Sequence, residues 1–459
     1  MSAPPDTSPV RELRHLLSGQ VIAPADDEYD EARTLFYGGH DRRPAVIARV
    51  ADATDVSSVV RVARQTGLEL AVRSGGHSVA GHSMSDGIVL DVSGMKAIDI
   101  DVEKRTAWAE TGLTAAEFTN AAAPHGLSVG FGDTGSVGIG GITLGGGVGF
   151  LVRRHGLTID DLLAAEIVTA DGDHLYLDED SHPDLFWAIR GGGGNFGVAT
   201  RFRFRLHELG TVVGGMLMLP ATPETIEAFV AEAEVAPWEL SAIANVMPAP
   251  PLPFVPDDWR GRLVIVALMC YAGQAEAGEK ALAPFRALAE PVVDMLRTMP
   301  YREIYPPELA GAQPTAVMRT TFVNAIDHAA AAAIVERLGA STAQTPIAQI
   351  RVLGGAMARV PNEATAFAHR DRRLMMTVVA LYEEPAERAT HEAWIGGLAQ
   401  ALQRGPAGAY VGFLGDEGEA RVRQAYPGTT WERLARIKDR FDPTNLFRLN
   451  QNVPAHGRA

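Results

Sequence analysis

The stretch with the most evident chemistry is Arg73-Ser74-Gly75-Gly76-His77-Ser78, which directly follows the apolar run Leu68 to Val72. Two adjacent glycines can turn several backbone N–H groups toward one anion, an arginine adds charge, and serines add hydroxyls. Gly81 and His82 lie a few residues on. Glycine is also concentrated elsewhere, with ten in residues 130–149 and five in residues 191–197. The chain has 47 glycines, where an average composition of roughly 7% gives about 32. The two windows account for nearly all of that surplus, which excludes a diffuse glycine-rich linker or a G-X-Y repeat. Concentrated glycine suits a nucleotide cofactor, because pyrophosphate needs main-chain donors at close range and side chains would block the approach.

The dinucleotide fingerprint G-x-G-x-x-G is met formally by Gly130, Gly132 and Gly135 and again by Gly192, Gly194 and Gly197. Neither set has a strand before it and a helix after it, so a Rossmann domain is disfavoured. No glycine run is followed by Lys-Ser or Lys-Thr, and the 13 histidines form no H-E-x-x-H pair, so neither a Walker A loop nor a metal site is expected.

The elements that must position these loops can be read from periodicity. Up to about residue 208, short strands and helices alternate with glycine-rich joints. Strands are expected at Ala45 to Val50, Leu68 to Val72, Ile88 to Val92, Thr106 to Glu110, Leu162 to Thr169 and Asn195 to Leu206. Helices are expected at Thr54 to Gln65 with Thr54 as N-cap, at Thr114 to His125 ending on Gly126, and at Pro183 to Arg190. From about residue 210 the helices lengthen, at Glu224 to Glu234, Ala275 to Leu288, His328 to Leu338 and Glu387 to Leu402, between strands near 261–271, 348–353 and 374–383. That alternation fits an antiparallel sheet covered by helices on one face, hence an α+β class. The tail carries a helix from Trp431 to Arg440, ended by Asp442-Pro443-Thr444-Asn445. The expected division is 1–208, 209–404 and a C-terminal return at 405–459.

The 459 residues suffice for more than one core. The excess of 56 acidic over 41 basic residues, a net charge of −15, argues against nucleic acid or an anionic membrane as partner. The longest apolar run, from Leu263 to Gly273, is too short to span a bilayer, and Met1 to Thr7 lack the basic and apolar regions of a signal peptide. The single cysteine, Cys270, excludes a disulfide framework and fits a reducing compartment, so a cytoplasmic protein is expected, as monomer or homodimer.

Several motifs taken together resemble a known family. They are Arg73 to Ser78, Gly87-Ile88-Val89-Leu90-Asp91-Val92, Val137-Gly138-x-Gly140-Gly141 with Gly145-Gly146-Gly147-x-Gly149, and His155-Gly156-Leu157-x-x-Asp160. Asp184-Leu185-Phe186-Trp187 running into Gly191 to Gly197, and the closing Phe441-Asp442-Pro443-x-Asn445-x-Phe447-Arg448-x-Asn450-Gln451-Asn452, complete the set. In this order, over almost the whole chain, they resemble the berberine-bridge-enzyme-like flavoproteins of the vanillyl-alcohol oxidase and p-cresol methylhydroxylase superfamily. The pattern is most similar to bacterial D-6-hydroxynicotine oxidase-like members.

The resemblance implies a two-part FAD-binding domain, a substrate domain, and FAD bonded covalently through His77 to its 8α carbon. It implies that Arg73, Ser74, Gly75, Gly76 and Ser78 wrap the pyrophosphate, with Gly81 and His82 beside them. Thr134, Gly135, Val137, Gly138, Gly141, Ile142, Gly147 and Gly149 would follow the rest of the cofactor. Gly194, Val198, Asn450 and Asn452 would complete the shell. Many members have a second bond from a cysteine where this chain has Thr134, so a single link is expected. The substrate would be a small alcohol, amine or secondary metabolite, oxidised by hydride transfer, with oxygen as probable acceptor.

Candidate catalytic groups are Gln349 and Arg351, which share a face of one strand, and Tyr410, with Tyr382 a further candidate on the next strand. Two departures leave the substrate open: Gly412-Phe413 stands where sugar-oxidising members have Asn-Tyr, and the acidic residues of nicotine-oxidising members are absent from 349–353. His82 and His155 are expected as structural or cofactor-shell residues. Ile139 places bulk beside the expected cofactor, so a dehydrogenase with another acceptor stays open, as does a flavin-binding protein without turnover.

Overall fold

The computed structural model describes residues 9–307 and 313–456, so Met1 to Thr7 lie outside the described residues. The first sheet has the order β1-β2-β4-β3, formed by β1 (Gln20–Ile22), β2 (Val46–Arg49), β3 (Leu70–Arg73) and β4 (Ile88–Asp91). β2, β4 and β3 are parallel, and β1 pairs antiparallel with β2. The crossover from β2 to β3 is the helix Ala53–Thr66. Its cap is Asp52 and not Thr54, because the Asp52 carboxylate accepts from the N–H groups of Thr54 and Asp55, which puts Thr54 already inside the first turn. Gly67, at φ +69°, ends the helix and releases the chain into β3.

The second sheet, β5-β6-β10-β8-β9, is antiparallel throughout. Its strands are β5 (Ile98–Asp101), β6 (Thr106–Glu110), β8 (Leu162–Val168), β9 (His174–Leu177) and β10 (Val198–Arg205), while β7 (Leu127–Ser128) pairs with β11 (His207–Glu208). The helix Ala115–Ala122 begins in a reciprocal cap between Thr114 and Glu117 and tightens into a 3₁₀ turn before Gly126. Inside the glycine window lies a helix the periodicity does not reveal, Ile139–Gly145, held by burial of Ile139 and Leu144 in the core of this half.

The third sheet has eight antiparallel strands in the order β15-β12-β14-β13-β18-β19-β17, with β16 also pairing with β12. They are β12 (Thr211–Pro220), β13 (Leu240–Pro248), β14 (Leu263–Tyr271), β15 (Val293–Asp294), β16 (Arg297–Pro300), β17 (Thr315–Val323), β18 (Thr345–Val352) and β19 (Leu374–Tyr382). β12 is masked in the sequence by Gly214-Gly215: a Cβ on Gly214 would meet the Met269 carbonyl at 2.5 Å, so glycine here permits strand approach and does not mark a loop. The helices Pro223–Val235, Ala275–Arg286, His328–Gly339 and Arg388–Leu402 supply the core on one face, with Phe229, Leu282, Ile334 and Leu398 against Leu217, Ile265 and Ile350. The opposite face meets the glycine-rich half through Phe150, Leu151, Cys270 and Tyr301 and through Val148, Phe322, Met375 and Tyr410. No helix among the described residues is long and apolar enough to cross a membrane.

Candidate functional site

Where the glycine-rich half, the eight-stranded sheet and the C-terminal tail converge there is a cavity of about 330 Å³, within the ~300–1,000 Å³ range of small-molecule sites. One wall is mostly backbone. After β3 the loop 74–79 crosses the segment 136–141 at a distance only glycine allows. A Cβ on Gly75 would lie 2.2 Å from Gly138 N, and one on Gly138 would lie 2.1 Å from Ser74 Oγ. Gly76, at φ +72°, then turns the chain to present His77. The imidazole stacks on Phe36, with centroids 4.0 Å apart and an interplanar angle of 22°, and Ser136 Oγ lies 2.8 Å from its Nε2. Three separate parts of the chain therefore fix the ring.

Gly141 and Gly194 differ from that pair. Both line the cavity, and a Cβ on either would meet no protein atom within 4 Å. The space in front of them is left for something other than protein. Asn450 also lines the cavity; its Nδ2 donates to the Phe447 carbonyl, while Oδ1 is buried without a partner. A long cradle with backbone donors, open glycine surface and an unsatisfied amide oxygen fits an extended nucleotide cofactor.

The tail is locked to this wall by a buried ion pair. Lys438 Nζ lies 2.7 Å from Asp442 Oδ2 and donates to the carbonyls of Asn195 and Phe447, while Asp442 accepts from the N–H groups of Leu446 and Phe447. Asn195 joins Gly192 and Gln451 through Nδ2 and accepts from Val453 N–H. The second glycine window and the closing motif are thus one structure, which explains the residue types of both.

Of the expected cofactor residues, Ser74, Gly75, Gly76, His77, Ser78 and His82 line the cavity. So do Thr134, Val137, Gly138, Gly141, Ile142, Gly194, Val198 and Asn450. Arg73 does not. Its guanidinium turns away to Asp91, at 2.6 Å, and to the Ala32 carbonyl, because the fully buried Asp91 carboxylate at the end of β4 needs a counter-charge. Burial works against the charge on Asp91, but Arg73 and Ser93 outweigh it and hold the carboxyl below its ordinary range.

Gly81 makes a turn at φ +72° against His40, and Gly135 packs on Ala116 and Tyr305. Gly147 backs onto Thr158, Gly149 onto the carbonyls of Phe131 and Gly132, and Asn452 lies off the cavity with Oδ1 buried and unpartnered. None of these five lines the cavity.

The opposite wall is built from side chains. Register aligns Asn245, Gln349, Thr377 and Thr320 across β13, β18, β19 and β17 in one polar row on the face away from the helices. Gln349 Nε2 donates to Asn245 Oδ1 at 2.8 Å, and Arg351 Nε donates to Gln349 Oε1 at 2.9 Å. Arg351 Nη2 reaches Asp133 Oδ2 at 2.5 Å, and Phe413 covers the guanidinium at 5.0 Å. Gln349 and Arg351 therefore stand behind the cavity lining, and Asp133 is the group that faces it. Tyr410 does line the cavity; its Oη accepts from Gly147 N–H at 3.1 Å, and burial raises its phenol pKa. Tyr37, also in the lining, is pushed up to about 12 by burial and by the charge of Asp133.

A family model for an FAD-binding domain matches residues 44–178, and one described as berberine and berberine like matches residues 409–454. The (R)-6-hydroxynicotine oxidase of Paenarthrobacter nicotinovorans is 31% identical over 458 residues, covering 96% of this chain and 98% of that protein. The chain belongs to the berberine-like FAD-linked oxidoreductases. An uncharacterised FAD-linked oxidoreductase of Bacillus subtilis (strain 168) is 30% identical over 95% of this chain and 97% of its own length. Among solved structures, 6-hydroxy-D-nicotine oxidase from Arthrobacter nicotinovorans superposes with a TM-score of 0.84 at 26% identity, covering 95% of this chain and 98% of that one. Glucooligosaccharide oxidase from Acremonium strictum, which carries a 6-S-cysteinyl, 8α-N1-histidyl FAD, shares the fold at a TM-score of 0.84 and 21% identity, over 98% and 100% of the two chains.

In this FAD-linked oxidoreductase several further expectations change. Ile139 is fully buried in the core behind the glycine window, so its bulk does not stand beside the cofactor site. Tyr382 points into the helix-covered core against His391 and is not a cavity residue. His155 stacks on His207 at 3.7 Å outside the cavity lining, where burial pushes it down to about 3. His82, which does line the cavity, is likewise held below its ordinary value by burial. Phe36, Tyr37, Asp133 as a cavity group, and Met318 escape a reading of motifs. Only Phe36-Tyr37-Gly38-Gly39-His40, which repeats the Gly-Gly-His pattern of the His77 loop behind two aromatics, carries a signal that could have found the first two.

Proposed function

We propose that this FAD-linked oxidoreductase holds its cofactor by one covalent bond, from His77 to the 8α carbon, and oxidises a small organic alcohol, amine or secondary metabolite with oxygen as acceptor. The observation that carries the reading is the placement of His77 in the cavity wall, stacked on Phe36 and held by Ser136. Thr134 has no thiol to form a second bond, and Cys270 is fully buried in the interface core, where burial raises its thiol pKa. The chain divides on this reading at about residues 208 and 404, into an FAD-binding part, a substrate part and a C-terminal return. One buried thiol suits a reducing compartment, the cytoplasm.

Bound FAD supplies a two-electron acceptor for the substrate's C–H hydride, and oxygen then takes the two electrons and two protons to give hydrogen peroxide. The loops at Ser74 to Ser78 and Val137 to Gly141 orient the cofactor through backbone N–H groups. The aromatic side chains at the sheet end, Tyr37, Tyr410 and Phe413, restrict water. With Ile139 turned into the core, no bulk from that position hinders oxygen. The deciding experiment is acid precipitation of wild-type protein and His77→Ala. Wild type is expected to keep a yellow pellet and a peptide mass increased by FAD, and the variant to release its flavin or lack it. A yellow pellet from His77→Ala would sink the assignment.

A further inference from the structure

Among the described residues, Asp133 is the only Asp, Glu, Lys or Arg in the cavity lining. It stands at the end where Tyr37, Met318, Tyr410 and Phe413 close the space, and its charge is met within the site. Arg351 Nη2 holds Oδ2 at 2.5 Å, and Thr134 Oγ1 lies 3.3 Å from Oδ1. Arg351 is itself fixed by Gln349 and, through it, Asn245, whose amide donates to the Val266 carbonyl at 3.2 Å. The guanidinium is 4% exposed, and its Nη1 is buried without a partner. Among the other lining groups, burial raises the phenols of Tyr37 and Tyr410 and lowers His82.

We propose that Asp133 and Arg351 together recognise one uncharged hydroxyl group of the substrate, Asp133 accepting its O–H and Arg351 acting as the positioning residue that neutralises and aims the carboxylate. This rests on the function proposed above and names the substrate class of that site. The logic is one of donors and acceptors. A hydroxyl can donate to the carboxylate while bringing no charge of its own into the site. A carboxylate ligand can only accept and meets the charge of Asp133, and an ammonium can only donate and meets Arg351. Either would also have to be desolvated beside a carboxylate already paired with Arg351. An ether of the same shape cannot donate, and so forgoes the hydrogen bond to Asp133. When the bound alcohol is oxidised, the carbon-bound hydride goes to FAD and the hydroxyl proton passes toward Asp133, leaving a carbonyl.

The test uses oxidised holoenzyme and reads perturbation of the flavin absorbance by four inert probes: phenol, anisole, benzoate and phenyltrimethylammonium. Phenol is expected to bind about tenfold or more tighter than the other three. Asp133→Asn should lower phenol affinity about tenfold, and Arg351→Lys should keep the ranking. In Arg351→Met the carboxylate loses its counter-charge, and phenyltrimethylammonium should gain about tenfold while phenol does not. A merely structural role for Arg351 would not invert a charge preference. Equal binding of phenol and anisole, preference for benzoate, no gain for the cation in Arg351→Met, or no perturbation by any probe of a protein that retains its flavin would overturn the inference. Loss of covalent flavin from wild type would instead overturn the function on which it rests.

Discussion

The two walls of the cavity are made of different material. The wall from the glycine-rich half presents backbone from two loops that interlock at Gly75 and Gly138, and the wall at the sheet end presents the side chains of Asp133, Met318, Tyr410 and Phe413, backed by a polar row that strand register aligns. Backbone donors recognise what every member of a cofactor class shares, because every residue has an N–H. Side chains recognise what distinguishes one substrate from another. The same contrast appears in the two arginines singled out from the sequence. Arg73, in the glycine-rich half, is consumed by a buried carboxylate and serves the fold, whereas Arg351, on the sheet, sends its charge across the interface to a cavity group.

If the backbone wall is rigid and the sheet wall adjustable, substitutions should rank accordingly. Asp91→Asn removes the counter-charge of the buried Arg73 and should cost about 3–5 kcal/mol, measured by denaturant unfolding at neutral pH. The sign with pH follows from the lowered carboxyl of Asp91. Its contribution is complete above the unfolded value of about 3.9 and is lost as pH falls through the lower folded value. Wild type should therefore lose its advantage over Asp91→Asn progressively as pH falls below about 3.9, and an advantage that does not decline on acidification would argue against the pair.

Gly138→Ala comes next. Its Cβ cannot fit against Ser74 and Gly75, so overpacking of about 1–3 kcal/mol and loss of flavin are expected together. Cys270→Ala, on the sheet side, should cost about 1 kcal/mol and leave the acid-stable flavin unchanged; flavin released by this change would argue against the bond through His77. Gly141→Ala sharpens the comparison most although its effect on folding is smallest. In a His77→Ala background without flavin it should be neutral or stabilise the helix by up to about 1 kcal/mol, while in the otherwise wild-type chain it should lower the flavin-to-protein ratio. Equal instability of Gly138→Ala and Gly141→Ala would abolish the distinction between packing glycines and cofactor glycines.

The backbone wall was largely legible because glycine leaves a compositional trace and His77 a local pattern. Even so, composition did not separate Gly141 and Gly194, which face open space, from Gly147 and Gly149, which face Thr158 and the Phe131 carbonyl. The sheet wall was legible only as a parity. Gln349 and Arg351 were seen to share a face, but their partners lie 104 and 218 residues away, at Asn245 and Asp133. No local window holds such a pair. Five strands of the third sheet, β12, β13, β15, β16 and β17, have no counterpart in the sequence reading for the same reason, since they are fixed by partners across the sheet and β12 carries two glycines that locally suggest a turn.

What the sequence determined by itself is the cofactor class, because cofactor binding is written in short loops whose glycines and histidine must be contiguous to work. It also determined that position 134 holds a threonine and that Cys270 is the single thiol. Only the tertiary structure decided which arginine serves the fold and which the site, which glycines touch protein, and that Asp133 is the cavity's carboxylate. Those properties belong to pairs of residues distant in the chain, and their distances and burial exist only once the two walls have met.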